Sequence, residues 1–229
     1  MKPIRRVLSW PFLGLLGIFS GILSVAPPIQ GRWALLYVGL VYGLVLGVYF
    51  FLCRGVHSAT KLSLLILASS FAYPIALLGG QLGIPLLILS PGLGLSLPIA
   101  GSPRGLQFLV VFLAGLSGGV ALLLPVLKLF DPSPSRSIAF YTKVAAGSLL
   151  SAFVGVLGRG LGPLLGEKVW MILPWTLLPN APTQNDDTFH FIALYLTWQP
   201  VLAVFIGAAT SGEPQPVGDP DSQDTDTSP

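Results

Sequence analysis

The chain has 229 residues, of which only 9% are charged, compared with about 25% in a typical soluble protein. Hydrophobic residues make up 53% and occur in long blocks, which is more apolar surface than a water-soluble fold of this length could bury. The net charge of +3 comes from Lys and Arg residues that stand singly or in pairs between the blocks, a pattern that favours membrane orientation over nucleic-acid binding. The composition therefore predicts an integral membrane protein, with the lipid bilayer as its partner.

The first apolar block follows a basic N-terminus and has two interpretations. Residues 1–26 have features of a secretory signal peptide, since MKPIRR precedes an apolar run that ends in SVA. However, the run is longer than the usual core of a signal peptide, and Pro27 follows the candidate cleavage point. We interpret the block as a retained transmembrane helix with its N-terminus in the cytoplasm.

Six apolar blocks are long enough to cross the membrane as α-helices, which takes roughly 20 residues for about 30 Å of hydrocarbon. Every span must be helical, because lipid offers no partner to an open backbone and no barrel-like alternation is present. The sequence thus predicts an all-α, polytopic bundle in one transmembrane domain over residues 1–211, with both termini cytoplasmic. The predicted spans are residues 7–26, 34–53, 62–80, 106–127, 144–165 and 189–209.

Residues 80–105 are as apolar as a span but contain four prolines and six glycines. Positive charges do not decide whether this segment crosses, because both topologies place eight basic residues on the cytoplasmic side and four outside. Proline removes a backbone donor and clashes with the preceding turn, and lipid cannot repair the break. We therefore predict a broken segment that does not cross, either re-entrant or lying over the outer face, in which Ser90 could line a polar cavity.

Two further segments lie outside the six spans. Residues 167–179 are apolar but too short to cross, and they contain two tryptophans, so they predict an interfacial helix on the outer face. Residues 212–229 are acidic and rich in proline, which predicts a disordered cytoplasmic tail.

Small residues recur at a spacing of four on the second and fifth spans. Such stripes let helix backbones approach closely in lipid, where the hydrophobic effect does not drive association. They predict either packing within the chain or a face for a membrane-protein partner. The two stripes that could serve a partner are Gly39, Gly43 and Gly47, and Gly158, Gly162 and Gly166.

Arg159 is unusual because it lies inside the fifth apolar block, within GVLGRGLG. An arginine at the centre of a bilayer costs about 2.5 kcal/mol or more, so such residues are rare and often functional. Its long side chain could extend to the outer headgroups. With the flanking glycines leaving its guanidinium accessible, it could instead bind an anionic ligand or a lipid phosphate.

The sixth span carries two further groups of polar residues. Asp186, Asp187 and His190 share one helix face, which would suit a divalent metal or a proton relay, but carboxylates also stabilise the start of a helix. Thr197 and Gln199 stand beside a proline near the bilayer centre. There they could satisfy the kinked backbone or contact a substrate.

The motif GLSGG, residues 115–119, lies on the fourth of the six spans, and a histidine lies on the sixth. This arrangement resembles the rhomboid intramembrane proteases, in which Gly-x-Ser-Gly carries the nucleophile and a sixth-span histidine is the base. The resemblance implies Ser117 as nucleophile and His190 as base. The chain departs from that family in lacking its histidine and asparagine pair on the second span and its long polar first loop.

Three classes of function fit these observations. We favour a substrate-binding or transport component with an outward-facing cavity, because an intramembrane arginine and a broken helix are costly features. The alternative is a structural or assembly subunit, and an intramembrane enzyme comes third. We expect a location in the bacterial plasma (inner) membrane and a small-molecule or anionic ligand. We expect no cofactor and no metal. The single cysteine, Cys53, excludes an intrachain disulfide. The candidate ligand-binding residues are Arg159, Gln199, Thr197, Ser90, Asp186, Asp187 and His190.

Overall fold

The computed structural model describes residues 9–25, 33–89, 103–131, 137–162, 164 and 186–211. Six helices in these ranges correspond to the six predicted spans, which confirms the all-α prediction. The predicted interfacial helix and the C-terminal tail lie outside the described residues. The helices are α1 (Ser9–Val25), α2 (Trp33–Arg54), α3 (Ala59–Leu89), α4 (Pro103–Phe130), α5 (Ile138–Gly160) and α6 (Asp186–Ala209).

Helices α2 to α5 are long and apolar enough to cross a membrane, and α1 and α6 contribute the shorter apolar stretches Pro11–Ser24 and Ala193–Ala209. Large apolar side chains remain exposed on the outer faces of the bundle. In lipid these faces need no further cover, because the solvent around them is itself apolar. Examples that are at least 62% exposed are Leu15, Leu52, Leu82 and Leu157.

The six helices form a closed ring, in which each helix packs against its neighbours in sequence and α6 packs against α1. Neighbouring helices are antiparallel, since residue numbers rise along one helix as they fall along the next. Both the start of α1 and the end of α6 therefore lie at the same end of the bundle. Close pairs that show these directions are Gly39–Ser69 and Gly43–Ile66 (α2 and α3), Gly80–Val110 and Gly118–Ala72 (α3 and α4), Gly115–Ala152 and Gly119–Ser148 (α4 and α5), Gly147–Phe205 and Gly158–Leu194 (α5 and α6), and Gly17–Pro200 and Gly21–Tyr195 (α1 and α6).

The antiparallel packing of α3 and α4 answers the question raised by residues 80–105. Leu89 and Pro103 lie at the same end of the bundle, so α3 ends and α4 begins on one side, as predicted for a segment that does not cross; residues 90–102 themselves lie outside the described residues. The break is shorter than predicted, however, because α3 continues through Pro85. Helix α3 contains both Pro74 and Pro85 within its 31 residues, because a proline inside a long helix removes one hydrogen bond but need not end the helix. The prediction of a broken backbone was therefore wrong for residues 80–89 and 103–105.

Basic side chains stabilise the end of the bundle where α6 terminates. Arg54 of α2 donates hydrogen bonds to the carbonyl of Thr210 and, at 3.2 Å, to its hydroxyl. Lys143 of α5 donates to the carbonyl of Ala209 at 3.2 Å and forms an ion pair with Asp131 at 2.8 Å. Both cations thus satisfy carbonyls at the negative end of the α6 dipole. The described basic residues at this end are Arg54, Lys61, Lys128 and Lys143, and we refer to it as the basic end.

Candidate functional site

A cavity of about 240 Å³ lies between α3, α4, α5 and α6, in the half of the bundle away from the basic end. Its walls are mostly apolar and include the rings of Tyr73, Tyr195 and Trp198. Arg159, in the last turn of α5, also lines it. The cavity therefore combines an aromatic interior, near the middle of α6, with a cationic residue at the end of α5.

Two glycines on the cavity wall have different roles. A Cβ atom on Gly115 would lie 2.7 Å from the Cα of Ala152, so Gly115 allows close contact between α4 and α5. A Cβ atom on Gly155 would have its nearest neighbour at 3.5 Å, on Val111, which is an ordinary contact distance. Gly155 therefore leaves room on the cavity wall that a larger side chain would fill.

Arg159 lies farther along its helix than the predicted span implied. The span 144–165 placed it about 22 Å above the cytoplasmic boundary. In the structure α5 begins at Ile138 and ends at Gly160, so Arg159 stands about 30 Å along the helix, in its final turn. The half-buried arginine is favourably placed near the C-terminal carbonyls of α5, and it is also part of the cavity wall.

Trp198 connects the cavity to α5 and α4 by hydrogen bonds. Its indole Nε1 donates to Ser151 Oγ at 2.5 Å, and that hydroxyl donates in turn to the carbonyl of Gly115 at 2.7 Å. Trp198 is only 5% exposed and Ser151 is fully buried. A buried indole needs an acceptor for its N–H group, and a serine facing α6 supplies it.

Gln199 makes the corresponding connections to α1, α2 and α3. Its side chain is fully buried, and its Nε2 atom donates to Ser24 Oγ at 3.1 Å and to Tyr73 Oη at 2.8 Å. The hydroxyl of Tyr42 donates to the backbone carbonyl of Gln199 at 3.2 Å. Tyr73 packs edge-on against Trp198, with 5.0 Å between ring centroids. Residues 198 and 199 together thus link α6 to every other helix.

The structure brings Arg159 together with aromatic residues rather than with the polar residues of the sixth span. Gln199 lies behind Tyr73 and is not part of the cavity lining. The hydroxyl of Thr197 donates to the carbonyl of Ala193 in its own helix, at 2.8 Å. Ligand binding by Gln199 and Thr197 stays a prediction.

The remaining candidates lie near or beyond the limits of the described residues. Helix α6 begins at Asp186, so Asp186 and Asp187 occupy its first turn, where carboxylates stabilise the positive end of the helix dipole. His190 lies one turn further along the same helix. The side chains of these three residues, and the whole of Ser90, lie outside the described part of the chain.

The helix packing keeps Ser117 and His190 apart. Ser117 lies against Gly79 of α3, and its hydroxyl donates to the carbonyl of Leu113 at 2.8 Å. The close pairs between α4, α5 and α6 place Ser117 level with about residue 202 of α6. His190 is about 12 residues from that level, or about 18 Å along the helix axis. A nucleophile and base pair therefore does not form between these residues in this arrangement.

The glycine stripe of α2 is used for packing within the chain. Gly39 and Gly43 lie against the backbone of α3, and a Cβ atom on Gly43 would be 2.8 Å from the Cα of Ile66. Gly47 has no neighbouring atom within 4 Å of its Cβ position. In the stripe of α5, Gly158 lies against α6, Gly162 is buried, and Gly166 is outside the described residues. Partner binding through either stripe stays untested.

Sequence reasoning missed the aromatic residues of the cavity and the serines that connect to them. A signal for Trp198 was present, because it stands in the middle of its span, away from the ends where tryptophan is usually found. Comparisons with protein families, curated proteins and solved structures found no match for the chain. The geometry of the cavity is therefore the basis for a functional proposal.

Proposed function

We propose that the protein is a substrate-binding or transport component of the membrane that takes a small amphipathic molecule with an anionic group. The observation that carries the proposal is Arg159 on the wall of a mostly apolar cavity. The apolar body of such a ligand would occupy the space beside Trp198 and Tyr73. Its carboxylate or phosphate would reach Arg159, whose guanidinium can form two parallel hydrogen bonds with either group.

The size and lining of the cavity narrow the class of ligand. Its volume of about 240 Å³ lies below the roughly 300–1,000 Å³ of pockets that hold drug-sized molecules. Three aromatic rings on the wall favour flat or branched apolar groups, which stack against ring faces and edges. We expect an aromatic or medium-chain carboxylate, or a comparably small phosphate ester.

The distribution of charge gives the cavity an orientation. Basic residues concentrate on the cytoplasmic side of membrane proteins, so the basic end of the bundle is expected to face the cytoplasm. The cavity in the opposite half would then open outward, toward the periplasm if the membrane is a bacterial inner membrane. This orientation supports capture of a ligand from outside the cell.

Ligand-induced thermal stabilisation of the full-length protein in lipid nanodiscs tests the proposal. Aromatic and medium-chain carboxylates should raise the melting temperature, whereas the primary amides of the same acids should not. Substitution Arg159→Leu should weaken carboxylate binding about 10- to 100-fold, because a charge-assisted hydrogen bond contributes about 1.5–3 kcal/mol. Arg159→Lys should retain part of the affinity, since it keeps the charge but loses the bidentate geometry.

Two further variants test whether binding depends on the cavity itself rather than on positive charge alone. Gly155→Leu should abolish binding while Arg159 is intact, because the new side chain projects into the cavity. Lys128→Leu, at an exposed basic position near the other end of the bundle, should leave binding unchanged. Equal carboxylate affinity in the wild type, Arg159→Leu and Gly155→Leu proteins would show that this cavity is not the binding site.

A further inference from the structure

The side-chain amide of Gln199 has an atom that the surrounding residues do not satisfy. Both donors of Nε2 are used, by Ser24 Oγ and Tyr73 Oη, whereas Oε1 has no hydrogen-bond partner among the described residues. Exchanging the two ends of the amide would not remove the problem, because the NH₂ group would then be left without acceptors. A buried polar group without a partner is unfavourable and unusual in a folded protein.

Two buried serine hydroxyls share this condition. In the described helices, a Ser or Thr hydroxyl generally donates to the carbonyl four residues earlier. Ser20 and Ser69, in contrast, are fully buried and their hydroxyls have no partner among the described residues. Hydroxyls that follow the general pattern are those of Ser24, Ser70, Ser117, Thr142, Ser148, Thr197 and Thr210.

Helix register relates the two serines to the two hydrogen-bond partners of Gln199. Ser20 lies one helical turn before Ser24, and Ser69 lies one turn before Tyr73. Residues four apart share a helix face, and Ser24 and Tyr73 are the two residues to which Gln199 donates. Because Tyr73 also lines the cavity, Gln199 lies directly behind the cavity wall.

We propose that Ser20, Ser69 and Gln199 form an inner polar site that binds a neutral hydrogen-bond donor. The Oε1 atom of Gln199 accepts the bond, and the serine hydroxyls both donate and accept. The residues of this site carry no charge, so they suit the O–H of water, or an O–H or N–H group of a cavity ligand that reaches past the ring of Tyr73. Only the second source rests on the proposed function, since buried water occupies such polar sites without any ligand.

Alanine substitutions at the two serines test the proposal through the sign of their effect on the melting temperature. Removing a hydroxyl that binds nothing relieves an unsatisfied group, so the melting temperature stays the same or rises. Removing a hydroxyl that binds an occupant lowers it. Ser148→Ala is the matched control, because Ser148 is equally buried in α5 and its hydroxyl donates to the carbonyl of Val144.

We expect Ser20→Ala and Ser69→Ala to melt about 2–4 °C below the wild type, as Ser148→Ala should, because each variant loses one hydrogen bond in a chain of this length. Melting temperatures of Ser20→Ala and Ser69→Ala equal to or above that of the wild type would overturn the inner polar site. Repeating the measurement after extended detergent washing identifies the occupant. A difference that persists assigns it to water, and a difference that disappears assigns it to a ligand group. Neither result depends on carboxylate binding at Arg159, so this proposal and the proposed function can fail separately.

Discussion

The interface between α2 and α3 predicts opposite effects for two alanine substitutions on one glycine stripe. A Cβ atom on Gly39 would lie 2.7 Å from the Cα of Ser70 and would overlap the carbonyl oxygen of Ser69. Ordinary contacts begin near 3.4 Å, so α3 would have to retreat by roughly 1 Å, and such overpacking costs about 1–3 kcal/mol. A Cβ atom on Gly47 would meet nothing within 4 Å. Gly47→Ala should therefore gain up to about 1 kcal/mol from the better helix propensity of alanine.

Comparing the two variants isolates the packing effect, because both carry the same gain in helix propensity. Gly39→Ala should be less stable than Gly47→Ala by about 1–3 kcal/mol, which corresponds to at least about 2 °C in melting temperature. Thermal unfolding in detergent, followed by tryptophan fluorescence, measures this difference, and light scattering measures the oligomeric state. The reasoning is refuted if Gly39→Ala melts at or above the temperature of Gly47→Ala. Loss of an oligomer without loss of stability would show instead that the stripe binds a partner.

Two further substitutions test the contacts that hold the ring together. Trp198→Phe should lower the free energy of unfolding by about 1 kcal/mol through loss of the hydrogen bond to Ser151. A double-mutant cycle with Ser151→Ala should show a coupling energy of similar size, and additive effects of the two substitutions would contradict the hydrogen bond. Lys143→Met should lower the free energy of unfolding by about 3 kcal/mol, because it leaves the fully buried side chain of Asp131 without its cation. Breaking a buried ion pair costs about 3–5 kcal/mol, and the lower value applies because the side chain of Lys143 is 31% exposed. Asp131→Asn in the same background should restore stability, and an unchanged unfolding midpoint for Lys143→Met would rule out a strong pair.

The fold could be predicted to the level of helix number and direction, because long apolar blocks have few alternatives in a membrane. The ends of the helices were harder to predict, as α3 shows. Pro85 was interpreted as a break in the helix, whereas α3 continues through it to Leu89. A proline in the sequence does not by itself show whether a helix ends there or continues around the lost hydrogen bond, as α3 does at Pro74 and Pro85.

The site was predictable only where one residue was anomalous by itself. Arg159 stands out as a charge within an apolar block, and the structure places it on the cavity wall. The polar connections behind that wall join residues that are distant in sequence: Gln199 and Ser24 are 175 positions apart, and Gln199 and Tyr73 are 126 apart. Which helices meet depends on closure of the ring between α1 and α6, and no local pattern specifies that contact.

The arrangement of large and small residues fixes the direction in which the cavity extends. Helix α5 is in close contact with α4 at Ala152 and with α6 at Gly158, and the space at Gly155 lies between these two contacts. Toward the basic end, the bundle is filled by fully buried aliphatic residues, including Leu122 and Leu202. A ligand that moved in that direction would have to displace Trp198, and so break its bond to Ser151. If the protein is a transport component, as proposed, the cavity therefore extends toward Arg159 and is closed toward the basic end. The hydrogen bonds of residues 198 and 199 are then the contacts that would have to break for the cavity to open toward the basic end.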